Sequence, residues 1–225
     1  ERESNMKKVK DPVSGFSHLL GAIASIVGLV FLIIWAAKYG EGAGDVVSFT
    51  IFGVSMFLLY VCSANYHLFN VGEKATRVLR KLDHIMIYIL IAGTYTPICL
   101  GPLRGGWGWS IFGVVWGIAL LGVFLTIFYL KAPRWITTGL YLAMGWLVVI
   151  ATYPMIVTFS QAGMLYSLWW LLAGGLLYTI GAIIYALKWP PLKNKYFGFH
   201  EIFHIFILLG SFCLYWFIIR YVLNM

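Results

Sequence analysis

Seven long apolar stretches, separated by short polar breaks, take up nearly the whole chain. They run roughly Phe16–Ala37, Val46–Phe69, Leu82–Leu100, Trp107–Leu130, Ile136–Phe159, Leu165–Leu187 and Phe197–Leu223. Each is close to the ~20 residues that a helix needs to cross the hydrocarbon core of a bilayer. The breaks carry turn residues: Lys38-Tyr-Gly-Glu-Gly, Gly72-Glu-Lys, Gly101-Pro-Leu-Arg-Gly-Gly, Lys131-Ala-Pro-Arg, Ser160-Gln-Ala-Gly and Lys188-Trp-Pro-Pro-Leu-Lys. The runs are unbroken by the ten-residue alternation of an outer-membrane barrel, so the spans read as helices. The expected fold is all-α, a seven-helix transmembrane bundle forming one domain over residues 6–225. Met6-Lys-Lys-Val-Lys reads as a natural start, which makes Glu1–Asn5 an expected vector-derived remnant. The first apolar run lacks a small-residue cleavage site and is expected to remain as a span.

Composition agrees with that pattern. Hydrophobic residues make up 61% of the chain and charged residues 11%, far too apolar for a soluble domain of 225 residues. The net charge of +8 invites a nucleic-acid reading, but its placement argues for a membrane topology signal. With the amino terminus inside, thirteen of the sixteen basic residues fall on inner segments, leaving Lys38, Arg104 and Arg220 outside. The positive-inside rule therefore puts the amino terminus in the cytoplasm and the carboxyl terminus outside. The basic loops are expected to face lipid headgroups. Cys62, Cys99 and Cys213 lie singly within spans and read as reduced core residues.

Topology then groups residues that are distant in sequence. His200-Glu-Ile-Phe-His204 opens span seven, and four residues is slightly more than one helical turn, so both imidazoles leave one face. His67 ends span two and Asp83 opens span three, at the same inner level. Three imidazoles with a fourth position open suit a catalytic-type zinc ion, whose bound water is acidified to about pKa 7. In this reading His67, His200 and His204 are metal ligands. Asp83 accepts the water's proton, and Ser63, one turn before His67, orients the water or a ligand. Ser63 has a blander fate open to it, a bond to its own helix backbone. His84 points about 100° away from Asp83 and is set aside. His18 reads as structural. The string His200-Glu201-x-x-His204 also matches the zinc-protease pattern, with Glu201 as a lesser candidate for the base. Six tryptophans at span ends (Trp107, Trp109, Trp135, Trp169, Trp170 and Trp189) read as interface anchors. Gly113, Gly117, Gly174 and Gly175 are expected to permit close helix packing, and Pro97 and Pro154 to kink their helices.

The strings Ser63-Ala-Asn-Tyr-His67, Lys81-Leu-Asp83-His-Ile, Gly93-Thr-Tyr-Thr-Pro97 and Phe199-His200-Glu-Ile-Phe-His204 resemble the motifs of the haemolysin III family. That family comprises bacterial relatives of the adiponectin and progestin receptors and, more distantly, of the alkaline ceramidases. The resemblance runs from Ser14 to the end of span seven. It implies a seven-helix bundle holding zinc near the cytoplasmic side through His67, His200 and His204, with Asp83 and Ser63 around the metal's water. It further implies a membrane lipid as substrate or ligand, and an intramembrane hydrolase of a lipid amide or ester. A non-enzymatic sensor of membrane lipid state is the alternative. Pore formation, suggested by the family's name, finds little in seven apolar spans that lack a polar lumen face.

Overall fold

A computed structural model describes residues 9–128, 133–192 and 197–224, and among them every regular element is helical. Glu1–Asn5 lie outside the described residues, as do several of the basic residues used for topology: Arg2, Lys7, Lys8, Lys131, Lys193 and Lys195. Spans one to four are α1 (Pro12–Tyr39), α2 (Ala43–Leu68), α3 (Glu73–Leu100) and α4 (Gly106–Phe128). Span five is two half-helices, α5 (Arg134–Gly145) and α6 (Thr152–Gln161). Spans six and seven are α7 (Leu168–Leu187) and α8 (Phe199–Arg220). All seven are long and apolar enough to cross a membrane.

The bundle is apolar both in its core, around Phe49, Phe52, Phe159 and Phe217, and on its outer face. In the first half of α1 the buried residues are Ser14, Gly15, His18, Gly21, Ala22 and Ser25, followed by Leu32 and Ala36, while Phe16, Leu20, Ile23, Val27 and Val30 face outward. Outward-facing bulk suits hydrocarbon, and small inward residues let helices approach. Spans two and three are the most enclosed and spans five and six the least. A Cβ built on Gly93 of α3 would lie 2.9 Å from the Ser55 Cβ of α2 and 3.4 Å from the Ile51 carbonyl, so the two central helices meet there through a missing side chain. Gly174 similarly accommodates Leu214 of α8, 2.7 Å from a hypothetical Cβ. Gly113 and Gly117, expected to serve packing, face open space, and Gly175 only reaches ordinary contact with Trp146.

Two elements depart from the sequence reading. Span three starts at Glu73, nine residues before the expected Leu82. The extension Glu73–Lys81 is too charged to register as apolar, yet its residues are good helix formers and continue the same rod. Span five, expected as one helix over Ile136–Phe159, is interrupted by a 3₁₀ segment at Trp146–Ala151. Pro154 sits in the first turn of α6 and has no N–H for the Ile150 carbonyl, a position where proline suits a new helix start, whereas Pro97 lies inside an unbroken α3. The freed backbone groups are taken up from outside the helix. Tyr95 Oη of α3 donates to the Gly145 carbonyl and accepts the Val148 N–H, both at 2.7 Å. Trp146 Nε1 donates to Thr179 Oγ1 of α7 at 2.9 Å. Tyr95→Phe should therefore cost about 1–3 kcal/mol, the penalty for buried backbone groups left unpaired. Thermal unfolding in detergent, with Tyr88→Phe as a comparison, checks this; an unchanged midpoint would show that the break supports itself.

Candidate metal centre

The C-terminal turn of α2 and the first two turns of α8 meet at one end of the bundle. His67 is the penultimate residue of α2, and His200 and His204 are the second and sixth of α8. One turn separates the latter two, so their rings share a face turned toward α2. His200 Nε2 lies 3.2 Å from His67 Nε2 and 3.2 Å from His204 Nε2. A ligand atom from each of the three falls within 4.8 Å of the others. His67 and His204 are buried, at 3% and 1% exposure.

That spacing can be tested against a metal. Nitrogens about 2.0–2.1 Å from a tetrahedral ion lie roughly 3.3–3.4 Å apart, close to the two separations found. Hydrogen bonding among the rings serves the same geometry less well. His67 Nδ1 is 3.0 Å from Asp11 Oδ2, and a carboxylate only accepts, so the ring's proton belongs on Nδ1 and the Nε2 lone pair is free. A single Nε2–H on His200 would then have to serve two neighbours at once. A cation accepting three lone pairs resolves the cluster, and the donor set fits zinc or another imidazole-preferring divalent metal.

The cluster stands at the polar end of a cavity of about 940 Å³ that reaches between α3, α5, α6, α7 and α8. Its walls are mostly apolar, with Met155, Ile156, Leu168, Leu172 and Leu214 lining it away from the histidines. Ser63 and Asp83 both line the cavity together with the three histidines. Asp83 is the eleventh residue of α3 because that helix starts early, and it lines the same cavity as the histidines. It lies outside the ligand group, with Oδ2 3.8 Å from His84 Nδ1. His84 Nδ1 is 2.8 Å from the Arg80 carbonyl, a bond that leaves Asp83 open to the cavity.

Glu201 lines the cavity too, and its carboxylate makes two structural bonds. Its Oε2 accepts the Gly198 N–H at 2.8 Å, closing the start of α8, and its Oε1 accepts Ser14 Oγ at 2.7 Å. One oxygen serves a helix end and the other α1. Sequence reasoning missed Asp11, which bonds a histidine of the cluster from outside every apolar run. An aspartate before a proline at a helix start reads as an ordinary cap, and only its closeness to the inner end of span one hinted otherwise.

Comparison with known proteins now decides the family. The haemolysin-III related family matches residues 6–215. The chain belongs to that family. It is 44% identical over 218 residues to the haemolysin-3 homologue of Bacillus subtilis strain 168, covering 96% of both chains. Haemolysin-3 of Bacillus cereus is 40% identical over 216 residues, spanning 96% of this chain and 93% of that protein. The adiponectin receptor protein of Drosophila melanogaster is 27% identical over 225 residues, which is 89% of this chain and 48% of the receptor. With seven membrane-crossing helices and bacterial haemolysin-3 relatives, the chain is a multi-pass protein of a bacterial membrane.

Proposed function

We propose that this haemolysin III protein is a zinc-dependent hydrolase that cleaves a lipid amide or ester inside the membrane. One observation carries the reading: three imidazole nitrogens within 4.8 Å of one another, two of their separations 3.2 Å, stand at the polar end of a large apolar cavity that also holds the Asp83 carboxylate and a serine. His67, His200 and His204 would hold the ion. Zinc held there supplies a Lewis acid that polarises a carbonyl and acidifies water. Asp83 takes up the proton as its carboxylate faces the same space, and Ser63 Oγ orients the attacked group by hydrogen bond. The apolar walls hold the acyl chain and keep bulk water away from the carbonyl. The distribution of basic residues supports a cytoplasmic position for the histidine end.

Metal-stripped protein in sealed vesicles, offered fluorescent lipid amides and esters, tests both points. Zinc added outside inside-out vesicles should restore product release, and the same zinc outside right-side-out vesicles should not. Release that never depends on zinc would defeat the hydrolase reading, and restoration only in right-side-out vesicles would reverse the topology.

A further inference from the structure

Asp11 occupies the N-cap position of α1, where an aspartate ordinarily accepts a hydrogen bond from the second or third N–H of the helix. Its side chain makes no such bond. The carboxylate turns instead to α2. Asp11 Oδ2 accepts from His67 Nδ1 at 3.0 Å, while the Asp11 backbone N–H donates to the carbonyl of the same histidine at 2.9 Å. Two bonds to one residue fix both where the ring stands and how its plane is turned. Lys10 is pinned alongside, 3.8 Å from Asp11 Oδ2 and 3.7 Å above the Tyr66 ring, which holds the segment against α2. A histidine that gives its Nδ1–H to a carboxylate presents a lone pair at Nε2, and that nitrogen is the one facing His200.

The contact is not isolated. Ser14 and His18 follow Asp11 at i+3 and i+7, on the same side of α1. Ser14 Oγ donates to Glu201, the residue beside His200. The His18 ring stacks on His204, with centroids 3.7 Å apart and planes 19° from parallel. Among the described residues neither His18 nitrogen has a hydrogen-bond partner, so its place is held by packing. One face of span one therefore touches both helices that supply the cluster, at three points.

We infer that this face of α1 is the buttress of the metal centre, and that Asp11 is the positioning residue that sets the orientation of His67. The inference rests on the metal reading above. A carboxylate behind a ligating histidine orients the ring and strengthens its lone pair, and its loss typically weakens metal binding 10–100-fold.

The test uses the full-length protein in nanodiscs, wild type beside Asp11→Ala, Asp11→Asn and Asp11→Glu. Zinc affinity is read by competition with a chromophoric chelator, and the melting of zinc-free protein is followed in parallel. Asp11→Ala should bind zinc roughly 10–100-fold more weakly. Asp11→Asn should weaken binding in the same direction while its zinc-free melting stays at the wild-type value, since asparagine keeps the backbone bond and can still accept from Nδ1. Asp11→Glu should recover part of the loss. Wild-type zinc affinity in the alanine and asparagine variants overturns the inference and leaves the metal site standing. A zinc-free Asp11→Asn protein that melts lower in proportion to its affinity loss also overturns it, because Asp11 would then only dock a helix. A wild type that binds no zinc removes the metal reading itself, and the role of Asp11 with it.

Discussion

Purified without chelator, the wild-type chain should hold about one zinc per polypeptide, while His67→Ala and the double variant His200→Ala/His204→Ala should hold none. The expectation follows from two nitrogen separations of 3.2 Å among the three histidines. Removing one ligand leaves two, too few for a closed or catalytic zinc site, so the effect should approach all or none. Metal analysis by mass spectrometry checks it directly. Stoichiometric zinc in the double variant would place the ion elsewhere. Because the ligands come from α2 and α8, the same ion would also tie span two to span seven. Free zinc at a hundred times its dissociation constant should then raise stability by about 2.7 kcal/mol in wild type and not in the variants. A purely structural ion would give that stabilisation with no turnover attached, which separates the sensor reading from the enzyme.

The second large effect concerns Asp83. Asp83→Asn preserves size and removes the proton acceptor, so turnover should fall by about 10²–10⁴, or roughly 3–5 kcal/mol of barrier. Zinc content and melting should stay at wild-type values, because Asp83 lines the cavity without belonging to the ligand group. Steady-state hydrolysis of whichever lipid amide or ester proves to be a substrate, compared at saturating substrate, gives the ratio. Full activity in the asparagine variant would assign the proton to another group. Loss of zinc in that variant would make Asp83 part of the metal's support instead.

The seven spans and the histidine cluster were legible because two simple rules act at long range. Hydropathy sets which residues cross the bilayer, and the alternation of direction then sets which residues share an end. His67 and His200, 133 positions apart, meet for that reason alone. What stayed hidden depends on neighbours that no local pattern reveals. The break in span five lies in an apolar run, and its backbone is satisfied by Tyr95 on a different helix. The early start of α3 lies in charged residues that hydropathy ignores. Asp11 sits outside every span and looks like a cap, yet its carboxylate has turned away to a histidine. Glu201 shows what a three-letter match to a protease motif leaves out: here the side chain holds a helix end and Ser14. Gly113 and Gly117 show that a glycine in a span does not by itself mark a contact.

The distance along the chain between the two halves of the cluster has a consequence for how the protein is made. His67 belongs to the second of the seven spans, and its partners belong to the seventh. During synthesis the first six spans can insert and pack before either partner has left the ribosome, since contacts distant in sequence form late. Until then His67 has Asp11 beside it but no second ligand. A metal held by the three histidines would therefore be a late acquisition, available only to a chain whose seventh span is in place, and a chain stopped after span six would carry one of the three ligands.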